Sequence, residues 1–247
     1  DVYKRQGNQP TIVAMAGAAS ANAVPQTATA RLRGGNADAT TRQLSAGKDA
    51  FIGKYTSQGG KFSIDVAREG ADVLVKVTGA SAHGSRPEEG VNPLPRLALF
   101  LKESGLVLPP NGYAQAVRYL TDLYGTDYLG RTMGLAYSDD FMGPLTMSPN
   151  LIREKDGKVD VLVNVRMPRG NTPEALAKAT TERIKAWGTQ AGVAVEVDHN
   201  QGNWMARDPK GAWLATLLNT FGDTTGLEAK PVPTAGSTTA KLMPNAI

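Results

Sequence analysis

Gly79-Ala80-Ser81-Ala82-His83-Gly84-Ser85-Arg86-Pro87-Glu88-Glu89-Gly90-Val91-Asn92-Pro93 is the stretch on which the reading of the chain turns. An alternating strand runs into it, with Val73, Val75 and Val77 on one side and Leu74, Lys76 and Thr78 on the other. Gly79 ends that strand, and an apolar-periodic helix starts near Leu94. His83 therefore sits in a small-residue loop between strand and helix, where an imidazole can reach into a cleft. It is one of only two histidines in 247 residues. Two readings fit it equally: a loop histidine bonded to a backbone carbonyl, or a functional side chain.

Working outward, Thr11–Met15 and Thr27–Leu32 read as strands, with Val24-Pro25 forcing an extended link before the second. Gly34-Gly35-Asn36 is a turn. Thr40–Tyr55 carries Leu44, Phe51, Ile52 and Tyr55 at helical spacing and runs out near Gly59-Gly60. Phe62, Ile64 and Val66 alternate as a strand that Gly70 turns into Val73–Val77. Beyond the loop, Leu94, Leu97, Ala98 and Leu101 make one helical face. Tyr113, Ala116, Val117, Leu120 and Tyr124 make another, and Pro109-Pro110 separates the two. Leu129–Met142 shows no clear period. Leu145–Ile152, the turn Asp156-Gly157 and Val159–Met167 predict a hairpin whose valines share one face. Thr172 is placed to cap a helix with Pro173 at its first position and Gly192 at its end. Val193, Val195 and Val197 then read as a strand, and Trp213–Phe221 as a last amphipathic helix. Strand–helix–strand–strand order predicts an α+β layer, an antiparallel sheet with helices on one face.

Composition narrows the function classes. Apolar residues make up 41%, ordinary for a globular chain. Lysine plus arginine exceed the acids by 27 − 23 = 4, and the charges are interspersed with no basic run, which argues against a nucleic-acid groove. There is no cysteine, hence no disulfide and no thiolate metal site, and the compartment is left open. No apolar run is long enough to span a bilayer, so no membrane partner is expected. Lys4 and Arg5 before Thr11–Ala19, with Ala21-Asn22-Ala23 behind, imitate a secretion signal, but the run is short and rich in glycine and alanine, and a strand is the better reading. The chain opens on Asp1 and closes on Ala246-Ile247. It reads as a piece of a longer gene, with residues 1–10 an uncertain and non-native-looking start.

Four segments resemble, in the right order, the zinc-dependent dipeptidase and deacylase family, the M-twenty metallopeptidases. They are Asn22-Ala23-Val24-Pro25, the Gly79–Pro93 stretch itself, Asn164-Val165-Arg166-Met167-Pro168 and Ala235-Gly236-Ser237-Thr238-Thr239-Ala240-Lys241. Departures fall at Pro93, Met167, Ala235, Ser237 and Thr239. The resemblance implies a doubled ferredoxin-like lid over residues 11–203, and over 204–247 a fragment of an α/β zinc-peptidase catalytic domain. It also implies that the longer parent hydrolyses a small peptide with a free carboxyl end.

The resemblance gives residues their roles. His83 and Asn22 would together stabilise the oxyanion of the tetrahedral intermediate. Arg166 would bind the substrate carboxylate, a task that suits a planar guanidinium. Gly236 and Thr238 would complete the carboxylate site through backbone N–H and hydroxyl. From the residues alone, Asn22 is better read as a turn residue before the extended Val24-Pro25, Arg166 can equally be a rim ion pair with Asp160 or Glu196, and Thr238 a polar turn. The two zinc ions that the resemblance implies find no ligand set here. His199 has no second histidine at ligand spacing, Glu88-Glu89 reads as charge near a helix start, and Asp139-Asp140 reads as a solvated pair. The chain alone is thus expected to be inactive and zinc-free. A deacylase of the same family, or a stand-alone ligand-binding or dimerisation module, would share these features.

Overall fold

The computed structural model describes residues 9–18, 20–205 and 210–233. Strands β1 (Thr11–Ala16), β3 (Thr27–Arg33), β4 (Ser63–Glu69) and β5 (Asp72–Thr78) form one antiparallel sheet in the order β1-β3-β5-β4. The short β2 (Ala23–Val24) precedes β3 but pairs elsewhere. Side-chain alternation sets the register. Ala28, Ala30 and Leu32 lie opposite Val77, Val75 and Val73, and all six are buried. The opposite face carries Thr29, Arg31 and Lys76, so helices cover one face only.

Helix α1 (Ala37–Gly59) begins where the Asn36 side chain accepts the Ala39 N–H at 3.0 Å. Sequence placed Asn36 only in a turn; it is the cap, and the helix starts three residues earlier than its apolar pattern does. Leu44, Phe51 and Tyr55 face the sheet, and the Phe51 ring meets Tyr55, Phe62 and Phe100 with centroids 4.5, 6.1 and 5.2 Å away. After β6 (Ala82–His83) and a 3-10 turn (Pro87–Glu89), helix α2 (Pro93–Glu103) runs through the centre. Every residue from Pro93 to Leu101 is buried, not just one face, because the sheet lies on one side and helix α3 (Gly112–Leu123) on another. Even Arg96 is enclosed. Its Nη groups donate to the Asn92 and Gly59 carbonyls at 3.0 and 2.7 Å, which ties the end of α1 to the start of α2.

The unassigned stretch before residue 143 holds β7 (Ser138–Asp139), paired with β8 (Gly143–Pro144). The hairpin of β9 (Thr146–Lys155) and β10 (Lys158–Arg166) follows, turning through Asp156 and Gly157 with φ of 51° and 74°, a primed turn that suits the strand twist. This hairpin joins two cores. Val159 and Val161 pack on the first. Val163 and Val165 pack on a second, built from Leu123, Tyr124, Met133, Leu145, Met147, Met167, Leu176, Ile184 and Trp187. The valines are therefore half-buried, and Asn164, 8% exposed, is the most enclosed residue of β10. Helix α4 (Pro173–Ala191) starts at Thr172, whose hydroxyl accepts the Ala175 N–H at 3.2 Å, and ends at Gly192.

Two expectations for the C-terminal part change. Val193, Val195 and Val197 alternate in burial and pack on the second core, yet they form no ladder. Val193 N–H is spent on the Gly188 carbonyl at the helix end, and Lys158 reaches Glu196 only through side chains. Helix α5 (Ala212–Thr225) forms as expected, but none of its residues is buried: Trp213, Leu217 and Phe221 are 61%, 40% and 46% exposed. No helix among the described residues is long and apolar enough to cross a membrane.

Candidate functional site

The site begins with a two-residue ladder. β2 pairs with β6, so that Ala23 faces His83 and Val24 faces Ala82. Gln26 holds the ladder's entrance by donating to the Gly79 carbonyl at 2.8 Å and accepting the Ser81 N–H at 3.2 Å. At the other end the Gly84 N–H donates to the Asn22 carbonyl at 2.7 Å. A Cβ on Gly84 would lie 2.7 Å from that carbonyl oxygen and 3.2 Å from Asn164 Cγ, so the close approach of the two segments requires glycine. Gly84→Ala should force Asn22 away from the His83 turn and lower unfolding stability by about 1–3 kcal/mol. An unchanged denaturation midpoint would show that the turn relaxes freely.

His83 is exposed, and its Nδ1 accepts the Ser85 N–H at 3.2 Å while lying 2.7 Å from Ser85 Oγ. A backbone N–H can only donate. Nδ1 of the neutral ring is therefore bare and Nε2 carries the proton. No hydrogen bond among the described residues uses Nε2. The ring thus does not donate to a backbone carbonyl, as the plainer of the two readings had it. It presents an N–H outward.

Asn22 and Arg166 join this turn through Asn164. The Asn164 amide donates to Asn22 Oδ1 at 3.2 Å and accepts from Arg166 Nε at 3.1 Å. The Asn22 Nδ2 group is left without a partner among the described residues. Arg166 is half-buried, and burial lowers its pKa, although a guanidinium stays charged at any physiological pH. Neither acid considered for it is free: Asp160 pairs with Arg153 at 3.3 Å and Glu196 with Lys158 at 2.7 Å. Among the described residues no carboxylate pairs with Arg166. Three of the five expected site residues are thus brought together. Gly236 and Thr238 lie outside the described residues.

Two curated relatives share this sequence. One is the Beta-Ala-Xaa dipeptidase of Lactobacillus delbrueckii subsp. lactis, 27% identical over 222 residues, which is 90% of this chain and 43% of the relative. The other is YtjP of Bacillus subtilis (strain 168), a dipeptidase by name, 28% identical over 148 residues, 60% of this chain and 29% of the relative. Over these stretches the chain is similar to both dipeptidases. It spans less than half the length of either relative it matches. No protein-family model matches it.

In this dipeptidase homologue a buried polar layer, which sequence reasoning missed, supports the site from behind. The partner positions of β10 step from Leu151 to Pro149, which leaves Asn150 as a bulge. Asn150 is fully buried. Its carbonyl accepts the Ala18 N–H at 2.9 Å, and its side-chain amide donates to the Ala21 carbonyl at 2.8 Å, beside Asn22. Its Oδ1 accepts from Ser148 Oγ at 2.7 Å and Asn92 Nδ2 at 3.1 Å. Asn92 also caps α2 by accepting the Leu94 N–H at 3.0 Å. Ser148 and Asn150 between Met147 and Leu151 were the available signal, since a buried polar pair there must serve a partner.

The remaining candidates fall elsewhere. His199 Nε2 lies 2.7 Å from Thr181 Oγ1. Glu88 and Glu89 are exposed, and Glu89 pairs with Arg86. Asp139 is not the solvated loop acid expected. It accepts the Phe141 and Met142 N–H groups and pairs with Arg169 at 2.8 Å. Those bonds, the Met142 N–H first, lower its pKa. Among the described residues no three His, Asp or Glu side chains gather as a metal site, so the implied zinc ions have no donor set there.

Proposed function

We propose that the chain is the lid and substrate-binding part of a zinc peptidase that hydrolyses dipeptides or short peptides with a free C-terminal carboxylate. The observation that carries this reading is Arg166, a half-buried guanidinium with no carboxylate partner among the described residues, linked through one amide to Asn22 and hence to the His83 turn. Its Nε is engaged, which leaves the two Nη groups for a carboxylate in a parallel pair of bonds. Asn22 Nδ2–H and His83 Nε2–H supply two donors where a tetrahedral oxygen would gather charge. Other residues of the parent would hold the zinc, whose role when bound is to activate the attacking water.

The division into a lid over residues 11–203 and a catalytic-domain piece from 204 belongs to the same proposal. The order β1-β3-β5-β4, with α1 and α2 on one face, agrees with a ferredoxin-like layer whose outer strand comes from the N-terminal side. The β9–β10 hairpin with α4 would be the core of its second copy.

Assays of the full-length protein test the reading. Free dipeptides should be cleaved and N-acyl amino acids left intact; the reverse would make it a deacylase. A parent gene without metal-ligand residues flanking this region would make the chain a binding or dimerisation module. The chain alone, after dialysis, should hold no stoichiometric zinc. About one tightly held zinc per chain would contradict the ligand count.

A further inference from the structure

Asn164 has so far been only the link between Asn22 and Arg166, yet its amide decides which way both of those bonds run. It is 8% exposed, bonded on one side to Arg166 and on the other to Asn22, with its Cγ packed under Gly84. The directions of these bonds are not free. An arginine Nε–H can only donate, so Asn164 must turn Oδ1 toward Arg166 and Nδ2 toward Asn22. Asn22 must then answer with Oδ1, which leaves its own Nδ2–H pair facing outward. A reversed Asn22 would present a lone pair to a developing oxyanion and repel it.

We propose that Asn164 is a positioning residue that transmits the one-way donor character of Arg166 to Asn22 and so fixes the Asn22 amide as a donor. The proposal rests on the peptidase reading, and it gives Arg166 a second task beyond holding a carboxylate. Substrate recognition and oxyanion stabilisation are then set by one chain of three side chains.

Asn164→Asp in the full-length protein is the test. Aspartate keeps the size and still accepts from Arg166, but it cannot donate to Asn22, which must reverse to donate instead. On a dipeptide, kcat should fall about tenfold or more when Asn22 is present and by about twofold at most in an Asn22→Ala background. Any rise in KM caused by the new charge beside Arg166 should appear equally in both backgrounds. A purely structural Asn164 would lower kcat by the same factor in both, and that result overturns the proposal, as does an unchanged kcat with Asn22 present. The side-chain amide resonances of Asn22, identified by their loss in Asn22→Ala, give a readout independent of activity. Asn164→Asp should move them as Nδ2 takes up the new bond, and unmoved resonances overturn the relay. If Asn22→Ala alone leaves kcat intact while the resonances do move, the relay stands and the oxyanion role of Asn22 falls.

Discussion

Replacing His83 by alanine in the full-length protein is expected to lower kcat by roughly two to three orders of magnitude and to leave KM nearly unchanged. The ring is exposed and, among the described residues, is bonded only through Nδ1, to Ser85. Its loss therefore opens no cavity and frees no buried charge, and the unfolding midpoint should hardly move. The outward Nε2–H has one task in the proposed reaction, donation to an oxygen that carries full charge only near the transition state, so the loss should fall on kcat. Zinc content should be the same as in the unaltered protein. A variant that loses its metal would make His83 a ligand, and one that keeps most of its kcat would make it a loop residue.

Arg166→Ala should lower kcat/KM on a free dipeptide by about ten- to a hundredfold, since hydrogen bonds to charged groups are each worth roughly 1.5–3 kcal/mol. Lysine should restore part of this, because an ammonium cannot reproduce the planar fork and cannot keep the Nε bond to Asn164. An amidated dipeptide separates recognition from chemistry. The unaltered protein should discriminate strongly against it, and Arg166→Ala should lose most of that discrimination. Equal discrimination in both would return Arg166 to a structural role.

Much of this was legible in local pattern. Strict alternation gave β5 and its partners, Asp156-Gly157 the hairpin turn, and Thr172-Pro173 the start of α4, because in each the physical cause is confined to a few adjacent residues. What could not be read was set by distant ones. The full burial of α2 depends on α3 as well as on the sheet. Val193–Val197 has the alternation of a strand but finds no backbone to pair with. His83, Asn22 and Arg166 could be picked out, and His83 and Asn22 set to one task, through their resemblance to a family, but the contacts that bring the three together could not. It depends on a bulge at Asn150 and on a two-residue ladder, neither of which leaves a periodic trace. Asn164 stands inside a motif, but an asparagine in a strand looks like a surface residue until its burial is known.

The bonds that close the site also span long stretches of chain. Asn164 lies 142 residues from Asn22, and Asn150 lies 129 from Ala21. Bringing such distant positions together carries a loop-closure entropy that nearby contacts avoid. The sheet β3-β4-β5 can condense on α1 and α2 first, since its turns are short. The Asn22 side chain and the Ala21 carbonyl can meet Asn164 and Asn150 only after β9 and β10 have docked, so the recognition surface should be the last part to order during refolding. In the native state, segments outside the sheet ladders, held by few backbone bonds, open at lower cost than central strands. The amide hydrogen of Ala18, whose acceptor Asn150 lies in the late-docking β9, should exchange well before those of β5. The chain would then pass through a form with a complete first sheet and no site.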